Sequence, residues 1–265
     1  MLKTEMRNQN SMHIDTMDTL SMVRLMNQEN MNAVMAVEKA LDKISLACDV
    51  IADRFDKGGR LFYVGAGTSG RLGVADAAEC PPTFGVSRDQ VIGIIAGGEK
   101  CLTQAAEGQE DDAEAGVRDL SKYNITENDV VVGISASGGA SYVVGAIEYA
   151  NSVGAYSISL SSNENTPMER VAKLGIFVDT GAEVITGSTR LKSGTAQKLV
   201  LNMFSTVSMI KTGKVYENMM INLKPSNIKL RGRVIRIVST IKNCDAETAE
   251  RLLEDNNWVI RDAVK

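Results

Sequence analysis

The 265-residue sequence predicts a doubly wound α/β fold, a three-layer sandwich around a parallel sheet with N-terminal helices and a small helical C-terminal tail. Three observations predict it. Short apolar runs alternate with helically spaced segments through most of the chain. Two glycine-serine loops each follow such a run directly. Beyond Tyr216 the strand-like runs stop and only helical patterns remain.

From 32 to 56, Val34, Val37, Leu41, Ile44, Cys48, Ile51 and Phe55 recur at steps of three and four, predicting one helix that Gly58-Gly59 terminates. Strand-like runs follow at 61–64, 91–96, 130–134, 156–160 and 176–178. Helical patterns lie at 70–78, 102–120, 140–152 and 167–173, and a longer one spans about 193–211. Pro225-Ser226 then breaks the chain, and 228–241 and 246–255 read as helices, with Asp245 capping the second near Thr248. The expected division is a catalytic domain over 1–224, including a helical segment at 1–57, and an appendage over 225–265.

Composition narrows the function. A formal charge of −4 implies no broad basic face, which argues against nucleic-acid binding. No apolar run approaches the roughly 18–20 residues that span a bilayer, and Met1-Leu2-Lys3-Thr4-Glu5 does not look like a secretory signal, so a cytoplasmic protein is expected. Cys48, Cys80, Cys101 and Cys244 form no CxxC pair or zinc spacing and suit a reduced state. With His13 the single histidine, neither a Ser-His-Asp triad nor a histidine metal site is expected; His13 reads as a surface or packing residue.

The loops carry the first chemical signal. Gly65-Ala66-Gly67-Thr68-Ser69-Gly70 and Ser135-Ala136-Ser137-Gly138-Gly139 each read as strand, tight turn and helix start, a geometry that aims backbone N–H groups at an anion. The candidate phosphate and substrate contacts are Gly67, Thr68, Ser69, Ser135, Ser137, Gly138 and Gly139; for any single hydroxyl, helix capping is the alternative. The first loop also matches the dinucleotide fingerprint GxGxxG. The acidic residue that fingerprint wants about 20 positions on is absent there, because Pro81-Pro82-Thr83-Phe84 intervenes and Glu99 is the nearest acid after the second strand.

Three further segments bear charge. Glu79 stands where a helix should end before Pro81-Pro82, and a carboxylate facing a helix C-terminus resists ionisation, as a general acid requires; a solvated surface Glu is the alternative. Glu107, Glu110, Asp111 and Glu114 are spaced to share a helix face, and one of them can serve as a base, although spacing does not choose which. Ser188, Thr189 and Lys192, in a polar entry to an apolar helix, suit closure over an anionic sugar, with capping and surface charge as the alternative.

The stretches GAGTSGRLGVADAAECPPTFG, IAGGEKCLTQAAEGQEDD, GISASGGASYVVGA and EVITGSTRLKSGTAQK, with the N-terminal TEMRNQNSMHID, resemble the N-acetylmuramic acid 6-phosphate etherase family, part of the sugar isomerase (SIS) fold group. The resemblance covers nearly the whole chain, though the family's tail usually continues beyond Lys265. It implies an acid/base role for Glu79, a second active-site carboxylate at Glu110 and a phosphate loop at 135–139. It also implies a 6-phosphorylated amino-sugar substrate bearing a D-lactyl ether at C3, no metal or redox cofactor, and a homodimer with its site near the subunit interface. Two other readings share the fold: a non-catalytic sugar-phosphate sensor or regulator, and an aldose–ketose isomerase.

Overall fold

The computed structural model describes residues 1–105, 108–223, 225 and 228–264. Two helices, α1 (Thr19–Glu38) and α2 (Leu41–Asp56), precede the sheet. In chain order there follow β1 (Leu61–Gly65), α3 (Gly67–Phe84), β2 (Val91–Ile95), α4 (Lys100–Thr103), α5 (Ala113–Ser121), β3 (Val130–Ile134) and α6 (Ser141–Ser152). Then come β4 (Tyr156–Ser161), α7 (Pro167–Val171), β5 (Leu174–Phe177) and α8 (Lys192–Lys211), and the tail holds α9 (Ile228–Lys242), α10 (Ala246–Asp255) and α11 (Ile260–Ala263). All strand pairs are parallel, in the order β2-β1-β3-β4-β5. No helix among the described residues is long and apolar enough to cross a membrane.

The strands alternate their side chains between two apolar layers, as a sheet covered on both faces must. Leu61 and Tyr63 of β1, with Val130, Val132 and Ile134 of β3, pack with buried residues of α1, α2, α3 and α8. Phe62, Val64 and Val131 face the other layer, built by Leu120, Tyr142, Val143, Ile147 and Met168. At the amino edge, Asp129 is buried and accepts from Arg60 N at 2.8 Å, Arg60 Nη2 at 2.8 Å and Thr126 N at 2.8 Å, joining the entries to β1 and β3.

The strands fall within two residues of the expected runs; several helices do not follow the expected pattern. The single helix over 32–56 is two helices broken at Lys39-Ala40. The inner face of α1 is Ala33, Ala36 and Val37, while Val34 and Leu41 are exposed. Helix α3 runs from Gly67 to Phe84, straight through Pro81 and Pro82. Those prolines withdraw donors only from the last turn, Cys80 Sγ bonds to Asp76 O at 3.3 Å, and Gly85, left-handed at φ 62°, closes the helix through Gly85 N to Pro81 O at 2.9 Å. The expected helix over 102–120 is interrupted: after α4 comes Gly108 at φ 75°, a 3₁₀ turn at Gln109–Asp111, and Asp112, whose carboxylate caps α5 at Ala115 N.

In the tail, Asp245 caps α10 by accepting from Thr248 N at 2.7 Å, as the sequence implied. The tail helices share an apolar cluster with Val234, Val238, Ala249, Leu253 and Ile260, which Ile221 and Leu223 join from upstream. Asn222 clamps this region to the end of α3. Its Nδ2 donates to Phe84 O at 2.6 Å, and a Cβ at Gly85 would stand 1.7 Å from its carbonyl oxygen.

Burial alone would raise the Asp129 carboxyl pKa, but the Arg60 guanidinium and the amides of Thr126 and Arg60 hold it below its ordinary value of 3.8. A lowered folded-state pKa gives stability that is present above that ordinary value and lost as pH falls through the folded one. Asp129→Asn should therefore cost about 1.5–3 kcal/mol at pH 7, and the gap to wild type should narrow below pH 3.8. Urea melts at neutral and acid pH measure it; a gap of constant size would count against the ion pair as its source.

Candidate active site at the carboxyl edge

The chain leaves β1 outward to β2 and then crosses back to β3 on the other side. The loops after β1 and β3 therefore diverge and open a crevice at the carboxyl edge, the switch point where open α/β sheets bind ligands. Gly65 pairs in register with Ile134, so both glycine loops leave the sheet at the same level.

In the first loop, Gly67 turns the chain into α3 at φ 54°. A Cβ at Gly70 would stand 2.6 Å from Gly65 O, so the loop closes only on glycine. Ser69 is buried and its Oγ donates to Gln197 Oε1 of α8 at 2.9 Å, so this hydroxyl ties α3 to α8. Thr68 is half-buried against the first turn of α8. In the second loop, Ser135 Oγ accepts from Gly138 N at 3.1 Å and Ser137 Oγ from Gly139 N at 3.2 Å, with the two hydroxyls 3.2 Å apart. Gly138 holds φ 73°, and a Cβ there would meet Thr166 Cγ2 at 2.4 Å. Helix α6 begins at once, its cap residue Ala140 supplying no side-chain acceptor. Small hydroxyls, closely approachable amides and a helix N-terminus thus converge on one spot.

Lys192 is placed differently from the sequence expectation. Its side chain is 2% exposed and its Nζ lies 2.6 Å from Glu29 Oε2. Glu29 also receives Asn8 Nδ2 at 2.7 Å, Asn10 Nδ2 at 2.8 Å and Asn32 Nδ2 at 3.3 Å. Burial would push the Glu29 carboxyl up, but Lys192, Asn10 and Asn8 together hold it below its ordinary range. The ammonium is thus committed to a structural pair rather than presented to the crevice. Ser188 and Thr189 sit half-buried in the turn before α8, their hydroxyls unbonded among the described residues. Glu183, fully buried, caps α8 by accepting from Lys192 N and Ser193 N, both at 2.9 Å.

The N-terminal residues strap across this edge. Lys3 N donates to Asn163 Oδ1 at 2.7 Å, and Asn163 Nδ2 donates to Thr4 Oγ1 at 3.1 Å and to Ala136 O of the second loop at 3.0 Å. Ser11 Oγ donates to Val184 O at 2.8 Å. Residue-level reading of the sequence missed Glu29, Asn163 and Glu183, because the partners that fix them lie 9 to 163 positions away. The available signal was the polar block TEMRNQNSMHID, which holds Thr4, Asn8 and Asn10.

The two candidate catalytic carboxylates lie apart. Glu110, on the 3₁₀ turn that packs against α6, lines a cavity of about 340 Å³ with Ala66 and Gly67 of the first loop, Arg71, Cys101 and Gln109. Glu79 is exposed, inside α3 rather than at its end, so the helix-terminus argument does not apply to it. Twelve residues at about 1.5 Å rise place it ~18 Å down the helix from Gly67. Asp111 is exposed, and Glu114 pairs with Arg118 on the surface at 3.5 Å; Glu107 lies outside the described residues. One turn before Glu79, Asp76 accepts from Tyr63 Oη at 3.0 Å, Asn202 Nδ2 at 2.6 Å and Ser205 Oγ at 3.2 Å, an anchor the sequence did not suggest. Burial raises the Asp76 carboxyl pKa despite those bonds.

The architecture and the paired loops define a SIS-domain protein. Residues 110–207 match the SIS domain, and residues 43–151 match the glucokinase regulatory protein N-terminal SIS domain. A phosphoheptose isomerase from Francisella tularensis shares the fold at TM-score 0.55 and 14% identity, over 73% of this chain and 100% of the other. A phosphoheptose isomerase from Neisseria gonorrhoeae does so at TM-score 0.52 and 18% identity, over 72% and 98%. The sequence relatives are more specific. N-acetylmuramic acid 6-phosphate etherase of Actinobacillus pleuropneumoniae serotype 5b is 52% identical over 96% of this chain and 84% of its own length. That of Halalkalibacterium halodurans is 51% identical over 99% and 88%. The chain belongs to the N-acetylmuramic acid 6-phosphate etherase family.

Two substitutions probe the edge. Gly138→Ala should cost at least about 1 kcal/mol through its left-handed backbone alone and more through Thr166, and calorimetry should show sugar-phosphate binding lost. Glu29→Ala should cost about 3–5 kcal/mol by leaving Lys192 buried without a counter-charge. Replacing both residues with Met should restore much of that stability in denaturant melts.

Proposed function

We propose that the chain cleaves the D-lactyl ether of N-acetylmuramic acid 6-phosphate, giving N-acetylglucosamine 6-phosphate and D-lactate. Family membership supports the reaction, and the observation that carries the site is Glu110 facing a cavity at the first glycine loop. The phosphate sits on the 135–139 loop, where Ser135, Ser137, Gly138 and Gly139 offer hydroxyls and amides. Gly67 and Thr68 border the sugar, Ser69 braces their loop from beneath, and Ser188 and Thr189 close over the ligand.

An ether is hard to break because its alkoxide leaving group is a strong base. Ring opening exposes an aldehyde at C1 and acidifies the hydrogen on C2. Glu110 removes that proton, the electrons form the C2–C3 double bond, and the lactyl oxygen leaves C3 as Glu79 protonates it. Glu79 then takes a proton from water as the water oxygen adds to C3, and C2 is reprotonated. Two carboxylates at suitable protonation states suffice for these transfers.

One protomer does not bring both acids to one sugar, since Glu79 is ~18 Å along α3 from the loop. We therefore assign the active unit as a homodimer in which a second copy supplies Glu79 to the cavity holding Glu110. Helix α1 supports this: Leu20, Val23, Met31 and Val34 share one face and are all exposed. Four cysteines without disulfides fit a reducing cytoplasm.

Glu79→Gln should lower lactate release by about 10²–10⁴-fold while leaving solvent deuterium exchange at C2; Glu110→Gln should abolish both. Near-normal turnover by Glu79→Gln would remove it from the mechanism. Co-expression of the two variants should rebuild one intact site per mixed dimer, and roughly one quarter of wild-type activity on random pairing in a two-fold dimer. No recovery would place both acids in the same chain.

A further inference from the structure

The substrate class proposed above carries two anions, the phosphate at C6 and the carboxylate of the lactyl group at C3. The 135–139 loop provides for the first. Lys192, the cation the sequence offered for closing over an anionic sugar, is consumed by Glu29 at 2.6 Å. Among the described residues lining the Glu110 cavity, Arg71 is the one cation.

Arg71 stands four residues after Gly67 on α3, one turn on and over the same helix face. Its Nε donates to Leu102 O at 3.1 Å and its Nη2 to Gln104 O at 3.0 Å. These bonds fix one edge of the guanidinium on the segment that leads to Glu110, and Nη1 has no partner among the described residues. Arg71 and Glu110 border the same space, and among the described residues the guanidinium is bonded to carbonyls and not to that carboxylate. A cavity holding a fixed cation and a separate carboxylate suits a ligand with an anion at one end and an acidic C–H at the other. The planar fork of arginine accepts a carboxylate through two N–H groups, which a lysine does not reproduce.

The geometry points to Arg71 as the residue that binds the lactyl carboxylate, and so selects the lactyl ether over the same amino-sugar phosphate without it. This rests on the reaction proposed above. It deepens that reading by assigning a specificity contact to a side chain that sequence analysis passed over.

The test compares three ligands: the lactyl-bearing substrate, its analogue with the carboxylate converted to a carboxamide, and N-acetylglucosamine 6-phosphate. Wild type should favour carboxylate over carboxamide by about 10- to 100-fold, the value of a charged hydrogen bond. Arg71→Met should lose that preference, with kcat/KM on the substrate falling by a similar factor. Its affinity for N-acetylglucosamine 6-phosphate should stay within about 2-fold, well below the effect of one charged contact; Arg71→Lys should recover part of the preference. Parallel weakening of all three ligands would make Arg71 only a brace for the 102–104 carbonyls and overturn the assignment. So would a wild-type protein indifferent to carboxylate or carboxamide, a measurement that needs no variant to fold. Absence of lactate release by wild type would sink the reaction itself, while the carboxylate preference would still be read by binding.

Discussion

The hydrogen-bonded pairing of β1 with β3 is the constraint on which the rest of the molecule depends. Because Gly65 stands opposite Ile134, two chain segments about 70 residues apart end at one height on one edge. The crossover to β2 turns away before the return to β3, so neither loop covers the other. Close backbone approach at Gly70 and the left-handed turn at Gly138 then hold the loops to shapes no other residue permits without displacement. Helix α8 leans on this arrangement through the Ser69–Gln197 bond, and the N-terminal strap joins it through Asn163.

Much of this was legible in the chain because parallel strands buried on both faces read as near-continuous apolar runs. Val130–Ile134 and Tyr156–Ser161 need no tertiary information to be found. The Asp245 cap is equally local, an acid accepting from an amide three residues on. Reading failed where distant groups override local preference. Pro81 and Pro82 look like a stop, yet Cys80 is packed into the core and Gly85 ends the helix a turn later. The acidic run at 107–114 has the spacing of one helix face, but Gly108 and the Asp112 cap start a new helix instead. Lys192 has the look of an anion ligand in a polar loop; only the folded chain reveals a carboxylate 163 positions earlier waiting for it.

The separation of Glu79 from Glu110 changes what the protomer means chemically. A helix-end acid beside the ligand would make each chain self-sufficient. An exposed acid well down α3 leaves each protomer, on the reading proposed above, with one of its two acids at the cavity. The anchoring of Asp76 by Tyr63, Asn202 and Ser205 bears on the same acid. It fixes the roll of α3 one turn before the acid, so that the carboxylate leaves the surface in a set direction.

Helix α3 is pinned at both extremities, at its start by Gly70 beneath Gly65 and at its finish by the Asn222 clamp around Gly85. Its 18 residues make a strut of about 27 Å. A strut fastened at each end transmits displacement instead of absorbing it. A displacement of Asn222 therefore loads a stiff member whose far end is the first glycine loop, which makes the tail cluster part of what holds that loop in place.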